Sequence, residues 1–182
     1  MRNWIRPWVL AGVVFLIVGA AGATVLITVE EALEQAFPGS TTKRQTLFLS
    51  DEQRESVERE SGAEVSSALA TRYEARGEDG AILGWAYLDT HRVRTLPETL
   101  MIVLDGDGTV KRVEVVTFRE PLEYMPREGW YGQYEGQELD GDLALKRDIR
   151  PVTGATLTAR ATTEAVRRVL AIHEVVSEEG DQ

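Results

Sequence analysis

Cysteine is absent from this chain of 182 residues. That excludes a disulfide scaffold, thiol chemistry, iron–sulfur ligation and c-type haem attachment. Histidine occurs only twice, as His91 and His173, too sparse for a histidine-built zinc or haem site. Positive charge is also short. Lys and Arg number 20 against 30 Asp and Glu, for a net charge of -10. A nucleic-acid binder gathers a basic patch, so no nucleic-acid partner is expected. There is no Walker lysine pattern and no GxGxxG, so nucleotide hydrolysis and Rossmann binding are not indicated. Internal repeats and low-complexity tracts are missing too.

What is present is unevenly placed. Arg2 and Arg6 are the only charges before Glu30, and Trp8 to Val29 is an uncharged run of 22 residues. At 1.5 Å per helical residue, about 20 residues span a bilayer core. The run is therefore expected as a single transmembrane helix. Its basic end would stay in the cytoplasm and the rest of the chain would lie outside. The rival reading is a signal peptide cleaved near Ala21-Gly22-Ala23, leaving a secreted or periplasmic protein. Residues 1–30 are thus expected as topogenic segment and anchor, 31–49 as stalk and linker, and 177–182 as an acidic tail.

Beyond the linker, Ser50 with Gln53 three residues later forms a capping-box pattern ahead of a short charged helix. Four strand-like runs follow, at about 69–76, 81–90, 98–104 and 109–118, separated by Gly- and Asp-rich turns. Strict alternation puts Val113 and Val115 on one face and Glu114, Val116 and Phe118 on the other. Both faces carry apolar side chains, so part of the sheet is expected to be covered on both sides. Residues 119–150 have no clean period, and a stretch this long is either mobile or functional. Its aromatics, Tyr124, Trp130, Tyr131 and Tyr134, favour a packed segment. Thr158 to Val176 reads as a helix with an apolar stripe of Ala165, Val169, Ile172 and Val176. The fold class is α+β, an antiparallel sheet with a C-terminal helix.

Most chemistry-bearing residues have bland readings. Asp105, Asp107 and Gly108 open like a calcium loop, but Thr109 and Val110 break the pattern, leaving a hairpin turn. His91 reads as a surface or rim residue and His173 as a partly buried packing residue. A hydrolytic triad has no support. The segment Arg150 to Arg160 stands apart, with three threonines around Gly154 just before a helix. Thr153 or Thr158 could cap that helix, with Gly154 supplying a turn. The same residues could bind a phosphate, since free N–H groups at a helix start attract anions.

Thr153-Gly154-Ala155-Thr156, followed by Leu157-Thr158, resembles the flavinylation motif of the FMN-binding domain family of the NqrC/RnfG type. The helix ATTEAVRRVL and the block TVKRVEVVTFREPLEY, with Trp130 and Gln133-Tyr134-Glu135-Gly136, extend the likeness over roughly residues 65–175. The resemblance implies an FMN-binding domain over residues 50–176. Its FMN would be joined to Thr156 by a phosphoester, with Thr153, Gly154, Ala155, Leu157 and Thr158 around it. It further implies a separate flavin transferase for maturation, since a threonine hydroxyl with no base cannot attach itself. The protein would then be a membrane-anchored extracytoplasmic electron carrier rather than a stand-alone enzyme. Its redox donor and acceptor would be separate partners, and a larger membrane redox complex is one setting for them. The alternatives are a module binding flavin or another phosphate ligand non-covalently, and a structural or interaction subunit without cofactor. Two departures from the family pattern stand out. Arg150 occupies a position that is often acidic in the family, with Asp148 two residues earlier. Arg119 to Tyr124 replaces the usual Glu-Thr-Pro-Gly-Leu-Gly loop. Arg150 is expected to pair with Asp148 or Glu120, or to lie near the phosphate. Tyr124 and Trp130 are expected to pack against the flavin ring or within the core.

Overall fold

The computed structural model describes residues 24–180. Six strands form one antiparallel sheet: β1 (Thr24–Val25), β2 (Thr41–Phe48), β3 (Leu69–Arg76), β4 (Ile82–Arg92), β5 (Pro97–Asp105) and β6 (Val110–Phe118), in the order β1-β6-β5-β4-β3-β2. The four runs expected from the sequence are β3 to β6. Helix α1 (Val29–Ala36) lies on one face. Helix α2 (Asp51–Ser61), the short α3 (Glu128–Tyr131) and the long α4 (Thr156–Gly180) serve the other face. Ser50 caps α2 through the expected box, its hydroxyl accepting from Gln53 N–H and the Gln53 side chain accepting from Ser50 N–H.

The central strand β5 shows why both faces are covered. Leu100, Ile102 and Leu104 point to the α4 side, where they join Tyr87, Leu143, Ile149, Val166 and Val169. Met101 and Val103 point to the α1 side and meet Ala32, Leu33, Ala36 and Phe37. Alternation fails on β6. Thr99 pairs with Thr117 but Leu100 pairs with Val115, so Val116 is an extra residue. A bulge of this kind reverses the facing of everything beyond it. Phe118 therefore packs with Val113 and Val115, while Val116 turns to the α1 side.

The N-terminal reading needs correction. Among the described residues no helix is long and apolar enough to cross a membrane. The end of the expected span is built into the domain. Thr24 and Val25 pair with Phe118 and Thr117 as a strand, and Leu26 N–H donates to the Val116 carbonyl. Backbone groups committed to a sheet edge cannot also close a helix, so a transmembrane helix through Val29 is not formed. The single-pass topology and the extracytoplasmic placement that rested on it are withdrawn with it. The remainder of that run, including Ala21-Gly22-Ala23, lies outside the described residues. Residues 31–49, expected as stalk and linker, belong to the fold. They hold most of α1, whose Ala32, Leu33 and Ala36 are buried, and the edge strand β2.

Candidate functional site

The irregular segment 119–155 wraps the start of α4. Tyr134 is fully buried, with its hydroxyl 2.7 Å from Thr163 Oγ1. Trp130 stacks edge-on against Tyr131 and Tyr134 at centroid distances of 5.2 and 5.5 Å, and its indole N–H donates to the Arg150 carbonyl at 2.7 Å. Those contacts make Trp130 a packing residue that fastens the segment leading to the threonine-rich turn. Arg150 and Asp148 are exposed on either side of the buried Ile149. Arg150 pairs with neither expected acid among the described residues. Its N–H donates to Gln133 Oε1, and Glu120 is engaged elsewhere.

The turn itself is tight. Gly154 has φ +87° and nothing within 4 Å of a built Cβ. Its glycine is required by backbone conformation rather than by crowding. Helix α4 begins at Thr156, and the carbonyl of Ala155 accepts from Ala159 N–H at 2.9 Å. Ala155 thus occupies the cap position, where alanine offers no oxygen to the first N–H groups of the helix. Neither Thr153 nor Thr158 caps the helix. Thr158 Oγ1 instead donates to the Tyr124 carbonyl at 2.5 Å. That bond clips the one-turn helix Leu122–Tyr124 to α4. Thr156 Oγ1 donates to the Val152 carbonyl at 3.3 Å and is exposed.

A cavity of about 210 Å³ opens beside this turn. Gly154, Ala155, Thr156, Leu157 and Thr158 form one wall, and Tyr124 and Glu120 another. The third comes from Val93 and Arg94 in the bend between β4 and β5. The Arg94 guanidinium lies 5.9 Å from the centre of the Tyr124 ring. Glu120 is held by the bend: the N–H groups of Thr95 and Leu96 donate to its Oε1 at 2.6 and 2.7 Å, and the Thr95 hydroxyl at 3.2 Å. The N–H bonds from Thr95 and then Leu96 keep its carboxyl below the usual range. The structure thus brings together the five expected residues from Gly154 to Thr158 and Tyr124. It leaves Trp130, Arg150 and Asp148 outside the cavity wall, and Thr153 at the turn beside it. Sequence reading missed Val93 and Arg94, which lie some sixty residues upstream with no local signal to connect them.

A second polar cluster, on the α4 side of β4 and β5, was not foreseen. His91 Nδ1 lies 2.8 Å from Asp89 Oδ1 and its Nε2 lies 3.1 Å from Glu98 Oε2. Arg168 clasps Asp89 with two bonds of 2.9 and 2.8 Å. The His91 side chain is 11% exposed and that of Glu98 is 0% exposed, so His91 is not a surface histidine. Burial alone would lower its pKa. The hydrogen bonds and charges of Asp89 and Glu98 outweigh burial and raise it to about 9. His173 packs against Trp85 at 4.5 Å and shares a 3.0 Å hydrogen bond with the Tyr87 hydroxyl. Burial, helped by the Arg72 charge, lowers its pKa to about 4.

A family model described as FMN-binding domain matches residues 96–171. No curated protein and no solved structure matches the chain. The matched stretch contains seven of the cavity's nine wall residues, Glu120, Tyr124 and 154–158. It supports a capacity to bind flavin and, with it, a redox or electron-transfer role. It does not carry the membrane-anchored, covalently flavinylated form expected from the NqrC/RnfG likeness. The strand at Thr24–Val25 removes the anchor helix as it was drawn. The reading of a membrane flavoprotein carrying FMN as a threonine phosphoester is corrected accordingly.

The wall residues fit a flavin phosphate. Uncapped N–H groups at the start of a 25-residue helix and a guanidinium share one small cavity, and both favour a phosphate. Tyr124 and the half-exposed Leu157 offer apolar surface beside them.

Proposed function

We propose that the domain binds FMN non-covalently in the cavity at the N-terminus of α4 and serves as an electron carrier between separate redox partners. One observation carries this reading: the uncapped helix start, with Ala155 in the cap position, opens into a cavity whose walls fall almost wholly within the FMN-binding match. The phosphate would lie against the N–H groups of Thr156, Leu157 and Thr158, where the helix dipole favours negative charge. Gly154 keeps that approach free of a side chain. Tyr124 and Leu157 would flank the ring, and Thr158 would hold Tyr124 in place through its hydrogen bond. The flavin, when bound, supplies the electron chemistry; the chain supplies orientation and electrostatics. Carriage rather than catalysis is favoured because the wall offers no general base. Glu120 is held by N–H donors that stabilise its charged form.

The test is titration of flavin-free protein with FMN, followed by flavin fluorescence, then acid precipitation of the complex. Saturable one-to-one binding with all flavin released on denaturation supports the reading. Flavin retained by the denatured chain would show covalent attachment instead. Absence of any binding would favour a structural or interaction role.

A further inference from the structure

The wall opposite α4 has a feature that the helix start does not explain. Arg94 is the only cation among the nine wall residues. It sits on a four-residue bend closed by a Val93 N–H to Leu96 carbonyl bond of 3.1 Å. A bend that short, at the end of a hairpin, has few internal contacts to fix an exposed side chain. Here it is fixed from outside. The Glu120 carboxylate, 6% exposed, receives the N–H groups of Thr95 and Leu96 and the Thr95 hydroxyl on one oxygen. The Arg94 N–H also stabilises the charge of that carboxylate. Successive N–H groups converging on one anion form a nest, a rigid local unit. Glu120 is itself anchored, two residues after β6 ends, where Arg119 N–H donates to the Pro97 carbonyl at 3.2 Å. The bend is therefore tied to a second strand end, and the Arg94 guanidinium is presented over Tyr124 at the cavity.

We propose that Arg94 is the residue that selects a phosphorylated flavin over the unphosphorylated one, and that Glu120 is its positioning residue. The inference rests on the non-covalent flavin reading above and adds a specificity to it. A guanidinium is planar, permanently charged and able to meet two phosphate oxygens at once. Helix N–H groups favour an anion only through partial charges, about half a unit in all. The added cation makes the cavity discriminate by charge.

The experiment compares equilibrium titrations of flavin-free protein with FMN and with riboflavin. Wild type is expected to prefer FMN by about tenfold or more, the scale of a charge-assisted hydrogen bond. Arg94→Gln should lower the FMN preference by about fivefold or more, by weakening FMN and leaving riboflavin unchanged; the helix start keeps the remainder. A purely structural role would weaken both alike. Glu120→Ala should repeat the Arg94→Gln pattern at unchanged riboflavin affinity, while Glu120→Gln, which keeps an acceptor oxygen for the bend, should restore part of the preference. Thermal melting of each variant confirms folding, and Arg94 is exposed enough for Arg94→Gln to be benign. An unchanged FMN-to-riboflavin ratio in Arg94→Gln overturns this assignment and leaves the cavity reading standing. A wild-type protein that binds neither flavin overturns both.

Discussion

The two histidines make the stability of this domain bell-shaped in pH, and the alkaline side can be worked out from the cluster around His91. Both ring nitrogens of His91 face carboxylates, Asp89 and Glu98. The ring is therefore a double donor and charged. With Arg168 on Asp89, the four groups balance as two cations and two anions in a largely buried site. The pKa of His91 is about 9 in the fold and about 6.5 in an unfolded chain. Below about 6.5 both states hold the proton, and the stabilisation is fully present. Between those values only the folded state holds it, so raising the pH lowers stability by about 1.4 kcal/mol per pH unit. Across the interval the loss sums to about 3 kcal/mol, a large part of the ~5–15 kcal/mol of an ordinary domain. His173 does the reverse. Its folded pKa of about 4 lies below the unfolded value. Its contribution is present above about 6.5 and lost as pH falls through about 4. The maximum should fall near pH 6.5.

Urea unfolding at fixed pH values from 5 to 9.5, extrapolated linearly to water, measures this directly. The informative variant is the pair His91→Gln with Glu98→Gln, which removes the titrating ring without leaving an unpaired buried charge. It should be flat from pH 6.5 to 9 where wild type falls. An alkaline fall of the same slope in that double variant would refute the reasoning. Ring signals followed by NMR give a second check, since only two histidines contribute.

Thr158→Val leaves the partly buried Tyr124 carbonyl without its partner and should cost about 1 kcal/mol in urea unfolding, with weaker FMN binding as Tyr124 loosens. Gly84 has φ +150° and a built Cβ would stand 2.2 Å from the Leu104 carbonyl oxygen; Gly84→Ala should destabilise by about 2 kcal/mol or more, read in the same assay. Ala155→Ser supplies the missing cap oxygen. It should raise stability by about 0.5–1 kcal/mol while weakening FMN binding, because the hydroxyl takes an N–H that the phosphate would use; a variant that gains stability and keeps wild-type FMN affinity would count against phosphate at the helix start.

Local signals in the sequence were sufficient where one segment sets its own conformation. The capping box at Ser50 and Gln53, the turns flanking β3 to β6 and the apolar stripe of α4 are of that kind. Phe118 shows where such signals stop. Its side is set by a bulge opposite Thr99 and Leu100, a property of two strands together. Thr24 and Val25 show a stronger failure. Their apolar continuity with the preceding run suggested a helix, but pairing with β6 gives their backbone groups partners at the sheet edge. The site divides in the same way. Residues 154–158 announce themselves by composition. Arg94 and Glu120 reach the cavity only because β4, β5 and β6 end side by side, and no spacing in the chain encodes that.

The start of α4 is the one place where local rule and local structure disagree most plainly. The helix is secured along its length by buried Ala159, Thr163, Val166, Leu170 and Ala171, so it can tolerate a poor beginning. Alanine is among the weakest cap residues, and threonines that could have capped stand on both sides of it. Thr158 is occupied with Tyr124 and Thr156 with the Val152 carbonyl. Each hydroxyl is turned away from the free N–H groups. A chain under selection for helix stability alone would place an oxygen at position 155. Leaving those donors uncapped beside a guanidinium, at a cavity edge, is what an external anion requires, and violations of local preference concentrate at functional sites for that reason.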